Sequence, residues 1–314
     1  MLSLLGGIFL GWSLGANDAA NAFGTAVSSK MLRFWTAAAL GAIFVILGAV
    51  LEGRAGIETL QGLTQLTLKK ATVASVAAAL TVTLMTLWGL PVSTSQAAVG
   101  AILGIGFLNR QLDLSELSKV VACWIGTPVG GLIIAIIVYR ILSAAMNRIH
   151  IDLFRTDILL RIALIVAGSY AAYALGANNV ANVTAVFVGA GHISVFSATV
   201  IGGLSIALGI LTFSQPVMET IGKKLVRLDP FSALIVVLAE AITVHFFTFM
   251  GVPVSTSQAV IGAVLGVGVV KGANTVSRRT LKSIFIGWFL TPAVACMIAI
   301  ALYVAVHLRY LPEF

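Results

Sequence analysis

Apolar residues run along this chain in blocks of about 18 to 25, the length that carries an α-helix across a hydrocarbon core. The first block extends from Leu2 to about Ser28 and ends at Lys30 and Arg33. The second covers Phe34 to about Leu51 and closes at Glu52-Gly53-Arg54. A polar connector from Arg54 to Lys70 precedes a third block, Ala71 to Trp88. It stops at Gly89-Leu90, where Pro91-Val92-Ser93-Thr94-Ser95-Gln96 begins, and Ala97 to Leu108 forms a shorter apolar piece. Glycine and proline interrupt a helix, and the Ser and Thr residues beyond them are favourable N-caps for a new one. The short piece cannot cross alone. The spacing therefore predicts a hairpin that enters the membrane and turns back. Asn109 to Lys119 is a loop, Val120 to about Leu142 a long span, and a charged connector runs from Arg140 to Arg161.

The pattern then restarts. Ile158 to about Gly189, Val195 to about Phe213 and Ser232 to Met250 are apolar, with a connector from Glu219 to Asp229. Gly251 and Val252 lead into a second copy of the hexapeptide, Pro253 to Gln258. Ala259 to Val270 is again short, and Leu281 to His307 is the last span. The hexapeptides at 91–96 and 253–258 are identical. Glu58-Thr59 recurs as Glu219-Thr220 at nearly the same offset, and Trp124, Thr127 and Pro128 recur as Trp288, Thr291 and Pro292. Residues 1–150 and 151–314 are thus two repeats that together make one unit. Each contains an odd number of crossings, three or five, so the halves point in opposite directions. Loop charge agrees. Thirteen Lys and Arg residues fall on one side and six on the other, which places the thirteen in the cytoplasm and both termini outside.

Composition narrows the class. Of 314 residues 59% are hydrophobic and 10% charged, against about a quarter charged in soluble domains. No short-period alternation of barrel strands appears, so the expected fold is an all-α polytopic membrane protein. The net charge of +8 follows the positive-inside bias, with no nucleic-acid partner implied. Cys123 and Cys296 both lie in apolar runs and define no disulfide framework. The N-terminal run lacks a basic leader and reads as a retained span.

The polar exceptions inside apolar runs carry the chemistry. Gly15-Ala-Asn17-Asp18-Ala-Ala-Asn21 lies in the first span, and Gly176-Ala-Asn178-Asn179-Val-Ala-Asn182 returns at the matching place in the second half. Such polar heptads are expected to break their helices. Together they offer five carboxamides and one carboxylate to a dry interior, where unpaired polar groups cost several kcal/mol. Carboxamide oxygens suit hard cations such as Na⁺, and carboxamide N–H groups suit an oxyanion. The hairpin tips, Ser93-Thr94-Ser95 and Ser255-Thr256-Ser257, open short helices, whose N-termini favour phosphate-like anions. No Lys, Arg or His stands in any of these motifs, so a bound anion would be balanced by dipoles and co-bound cations. Paired inverted repeats with interrupted segments point to a secondary transporter with its site at their interface. An anion channel is the remote alternative. The sequence holds no nucleophile–base set, metal-ligand cluster or nucleotide loop, so an enzyme is not expected.

Asp18 breaks the repeat, since its mate is neutral Asn179. A carboxylate can accept a hydrogen bond from a protonated oxyanion and repels a fully deprotonated one, so Asp18 is a candidate for selecting phosphate over sulfate, for binding the cation, or for both. Glu58, Glu219 and Glu240 are candidates for a gate or cation access. Glu240 lies inside an apolar arm, and its alternative is pairing with His245. Thr127 and Thr291 are further oxygens available to a cation, and Pro128 and Pro292 are expected kinks.

The doubled Gly-Ala-Asn-Asp/Asn-x-Ala-Asn and Pro-Val-Ser-Thr-Ser-Gln motifs resemble those of the inorganic phosphate transporter (PiT) family, over essentially the whole chain. The resemblance implies a cell-membrane Na⁺- or H⁺-coupled phosphate symporter, often a homodimer, with sulfate carried by some relatives. It implies that Asp18, Asn21, Asn182, Ser93, Thr94, Ser255 and Thr256 surround phosphate. Asn17, Asn178, Ser95, Gln96, Ser257 and Gln258 would then lie at or near Na⁺, with Asp18 and Asn179 shared. The second heptad departs from the commoner Asp form at Asn179. Phosphate import with Na⁺ is the expectation; H⁺ coupling or sulfate transport is the alternative.

Overall fold

The computed structural model describes residues 2–63, 66–87, 92–110, 112–148, 152–224, 228–272 and 278–309. Every regular element among them is helical. After a 3-10 turn at Leu2–Leu4 come α1 (Leu5–Ser28), α2 (Phe34–Glu52), α3 (Arg54–Gly62), α4 (Leu68–Leu87), α5 (Thr94–Asn109) and α6 (Leu114–Arg148). The second half contributes α7 (Leu153–Gly189), α8 (Val195–Lys224), α9 (Pro230–Phe249), α10 (Thr256–Lys271) and α11 (Arg278–Arg309). Seven of the described helices, α2, α4, α6, α7, α8, α9 and α11, are long and apolar enough to cross a membrane. With 24 residues, about 36 Å at helical rise, α1 has the length as well; its polar heptad and glycines dilute its hydropathy.

The heptads do not break their helices, contrary to the sequence expectation. α1 and α7 run continuously through Asp18 and Asn179. Their polar side chains find partners on neighbouring elements, so the backbone keeps its own hydrogen bonds. The middle connector is also shorter than expected, because α6 continues to Arg148 and α7 begins at Leu153. Arg is a good helix former, and the helices extend past their apolar stretches. Likewise α8 reaches Lys224, and α3 occupies part of the connector after α2.

The hairpin tips behave as expected where they are described; Gly89, Leu90 and Pro91 lie outside those residues. Ser93 and Ser255 are the N-caps of α5 and α10, and each side chain accepts a bond from the N–H of Gln96 or Gln258 at 3.3 Å. Asp229 caps α9 by accepting from Ser232 N at 3.0 Å and also pairs with Lys271 at the end of α10. Partial burial pushes the Asp229 carboxyl up, but the bonds from Lys271 and Ser232 outweigh this and hold it at about 2.

Helix crossings tie each half to the other. A Cβ at Gly15 on α1 would collide with the carbonyl of Ile206 on α8, and one at its mate Gly176 on α7 would collide with that of Val45 on α2. Gly100 on α5 meets the carbonyl of Pro292 on α11, and its mate Gly262 on α10 meets that of Pro128 on α6. Each hairpin's short arm therefore lies on the last span of the opposite repeat. Glycine permits such backbone approach. The two prolines stand inside continuous helices at these crossings.

A polar tie also joins the halves. His245 on α9 lies with Nε2 2.6 Å from Glu52 of α2 and Nδ1 2.8 Å from the Tyr170 hydroxyl of α7. The Phe249 ring stacks on the imidazole with centroids 4.5 Å apart. His245 thus partners Glu52, not Glu240, which corrects that sequence alternative. Glu52 sits at the end of an apolar span, outside every repeated motif, and nothing in its surroundings along the chain signals this pairing.

Candidate functional site

The close crossings of α1 on α8 and α7 on α2 set the two heptads inside the bundle, and the tips of both hairpins reach them. Asp18, 2% exposed, accepts a bond from the Thr94 hydroxyl at 2.7 Å. Asn17 Nδ2 lies 3.4 Å from its other oxygen. Asn21 Nδ2 donates to the Thr256 hydroxyl at 3.0 Å, with Ser257 Oγ at 3.4 Å. Its repeat mate Asn182 donates to Ser95 Oγ at 2.9 Å and Asn179 Oδ1 at 2.8 Å. Each repeat's last heptad asparagine therefore holds the other repeat's tip.

The tips also meet each other. Ser95 Oγ is 2.8 Å from the Val254 carbonyl and 3.0 Å from Asn179 Oδ1, two acceptors for its one hydrogen. Asn178 fastens the second tip from both ends of its amide. Its oxygen accepts from Val254 N at 2.9 Å, while its nitrogen donates to Thr248 Oγ1 at 3.1 Å and lies 3.4 Å from the Val252 carbonyl. Thr248 is a site residue that sequence reasoning missed; the one signal available was that its repeat mate, Thr86, is equally polar. The backbone groups of Val252 and Val254 leave no trace in residue type.

Several buried polar atoms here have no hydrogen-bond partner: Gln96 Oε1, Gln258 Oε1, Asn182 Oδ1, Asn179 Nδ2 and Glu240 Oε2. The two glutamine oxygens are repeat mates. An unsatisfied buried group costs about 1–3 kcal/mol, so these four oxygens and one donor are candidate contacts for a ligand. No Lys, Arg or His is buried among the described residues. The oxygens suit a cation, while hydroxyls, amide N–H groups and two helix N-termini suit an anion.

Most of the sequence-derived set converges: Asp18, Asn21, Asn178, Asn179, Asn182, Ser93, Thr94, Ser95, Gln96, Ser255, Thr256 and Gln258 are buried, with Asn17 and Ser257 at the margin. Glu58 is exposed and ion-paired with Arg54, and Glu219 is exposed beside Gln215. Each of these bonds is to a residue one turn away on the same helix. Thr127 and Thr291 are buried, but their hydroxyls donate at 2.6 Å to the Cys123 and Gly287 carbonyls of their own helices.

Comparison with known proteins bears on this arrangement. The model of the phosphate transporter family (PHO4) matches residues 14–156 and again 147–299. The phosphate-permease candidate MJ0630 of Methanocaldococcus jannaschii is 31% identical over 297 residues, covering 95% of this chain and 94% of that protein. The sulfate permease CysP of Bacillus subtilis is 29% identical over 305 residues, covering 95% of this chain and 86% of its own. A solved structure, the sodium-dependent phosphate transporter, superposes with a TM-score of 0.85 at 25% identity over 98% of both chains.

Proposed function

The chain belongs to the phosphate transporter family, and on that premise we propose that it imports inorganic phosphate across the cell membrane by symport with Na⁺. One observation carries this reading: two heptads and two helix-opening tips converge on one buried cluster that retains unpartnered oxygens but no buried cationic side chain among the described residues. Phosphate would lie between the Thr94 and Thr256 tips, where Asn21 and Asn182 can exchange their present hydroxyl partners for phosphate oxygens. Gln96, Gln258 and Asn182 would give carbonyl oxygens to Na⁺, with Asn17, Asn178, Ser95 and Ser257 beside them. Two or more Na⁺ would offset a doubly charged phosphate. The name of the solved relative supports Na⁺ as coupling ion, and the loop charges support termini outside. A homodimer is the expected assembly.

Alternating access would follow from hairpins moving against the heptad helices. The inter-tip bond from Ser95 to Val254 and the clamp at Asn178 are the contacts such a motion would break.

The test is radiolabelled phosphate uptake into proteoliposomes under an inward Na⁺ gradient, then under an inward H⁺ gradient without Na⁺, with sulfate as competitor. Na⁺-driven uptake resistant to sulfate is expected. Flux indifferent to both gradients would favour a channel. The relation to a sulfate permease supports a second reading, sulfate transport, which predicts strong competition in the same assay.

A further inference from the structure

A chain of hydrogen bonds holds the second hairpin tip. Ser95 of the first tip donates to the Val254 carbonyl at 2.8 Å, the Val254 N–H donates to Asn178 Oδ1 at 2.9 Å, and Asn178 Nδ2 donates to Thr248 Oγ1 at 3.1 Å. The repeat supplies the same residue types a second time, as Ser257, Val92, Asn17 and Thr86. Among the described residues this second chain is not made. Asn17 Nδ2 approaches Asp18 at 3.4 Å, and Ser257 Oγ lies 3.4 Å from Asn21 Nδ2. The Thr86 hydroxyl is buried with no hydrogen-bond partner, whereas Thr248 accepts from Asn178 and also donates to the Val244 carbonyl at 2.9 Å.

The helices that carry the unmade bond already lie side by side. The Thr72 hydroxyl of α4 donates to the Ser3 carbonyl at 3.2 Å, and the Ser13 hydroxyl of α1 lies 3.3 Å from that of Thr83 on α4. The two helices therefore run in the same direction. Asn17 and Thr86 stand about one turn further along them, and their mates on α7 and α9 close the equivalent rung. What separates Asn17 from Thr86 is a shift of the hairpin, not a missing neighbour.

We infer that Thr86 is the latch residue of the first hairpin. Its hydroxyl takes the Asn17 amide in the state that faces the opposite side of the membrane. There Ser257, Val92, Asn17 and Thr86 form the chain, and Ser95, Val254, Asn178 and Thr248 release it. This assignment rests on the carrier reading given above and adds to it a residue outside the ligand cluster. Inverted repeats with matching groups can exchange their conformations, and the exchanged arrangement opens the other way. Val254 links the two movements, because its carbonyl is held by the first tip and its N–H by α7. The exchanged state gives Thr86 the partner that Thr248 loses, so the two states stay close in energy and a ligand can shift their balance.

Removing the Thr86 hydroxyl deletes no hydrogen bond from this structure. Thr86→Val should therefore leave the unfolding temperature in detergent unchanged or raised. It should nevertheless slow phosphate uptake into proteoliposomes by about fivefold, the worth of one neutral hydrogen bond. Thr86→Ser, which keeps the hydroxyl, should restore uptake. Wild-type uptake by Thr86→Val, or a loss that Thr86→Ser does not rescue, overturns the latch. Cysteine labelling reads the alternation without phosphate. In a Cys123→Ala, Cys296→Ala background, Val92→Cys and Val254→Cys report on the two tips to a membrane-impermeant maleimide, applied to right-side-out and inside-out vesicles. Thr86→Val should raise the reactivity of Val92→Cys relative to Val254→Cys by about fivefold, and Thr248→Val should lower that ratio by a similar factor. Shifts in the same direction, or none, overturn the inference. Wild type that moves no phosphate would sink the carrier reading, while the labelling ratios would still judge the two clamps.

Discussion

On the proposed reading, Asp18 concentrates the chemistry of the candidate site in one side chain. It is buried, it takes the Thr94 hydroxyl of the first tip at 2.7 Å, and it leaves the neutral Asn179 as its counterpart. A carboxylate so placed accepts a hydrogen bond from an oxyanion that still holds a proton and repels one that does not. Asp18→Asn is therefore expected to lower phosphate-over-sulfate preference by about tenfold, equivalent to about 1.4 kcal/mol, one charge-assisted hydrogen bond. Competition uptake with labelled phosphate and unlabelled sulfate measures it, and an unchanged ratio removes selection from the roles of Asp18. The same residue shows what residue type reveals. A lone acid in an apolar run is conspicuous, whereas Asp18's bond to Thr94, 76 positions away, depends on how the hairpin folds back.

At the scale of elements, crossings and caps do the positioning. Gly15 has no room for a side chain, because a Cβ there meets the backbone carbonyl of Ile206 and not a flexible tip. Gly15→Val should destabilise the protein by about 2 kcal/mol or more, the upper part of the overpacking range, read as a lower unfolding temperature in detergent. Its equivalent Gly176→Val should behave alike, since the α7–α2 crossing repeats the α1–α8 crossing. The Asp229 cap makes a pH prediction. Its carboxyl is held at about 2 against an ordinary 3.8, so its contribution is present above about pH 4 and is lost as pH falls toward about pH 2. Discounted for exposure, it amounts to about 1 kcal/mol. Unfolding temperatures of wild type and Asp229→Asn should differ at pH 6 and converge at low pH; a constant gap would show that the carboxylate charge is not involved.

For the whole molecule, the repeats are not two separable bodies. α1 needs α8, α2 needs α7, α5 needs α11 and α10 needs α6, and Glu52 of one half engages His245 of the other. Expressed alone, residues 1–150 or 151–314 would leave these crossing faces without partners and should be degraded or aggregate. Co-expressed, the halves should restore a complex that co-purifies and takes up phosphate. A stable, monodisperse single half would show that the crossings are dispensable.

The sequence by itself determined the class, the repeat, the inverted sense expected of it and the polar residues that gather at the centre, because bilayer thickness sets run length and polar groups in such runs need a reason to be there. Serine caps at the tips were legible from the Ser and Thr residues that follow each Gly and Pro break, a signal as local as run length. Tertiary structure decided the rest. Continuous helices through the heptads, the exchange of short arms between halves, the Glu52–His245–Tyr170 tie and the bond from Thr94 to Asp18 all depend on how the chain packs. Whether a polar heptad opens its helix depends on the partners waiting across the interface, and those are supplied by packing, to which local periodicity is blind.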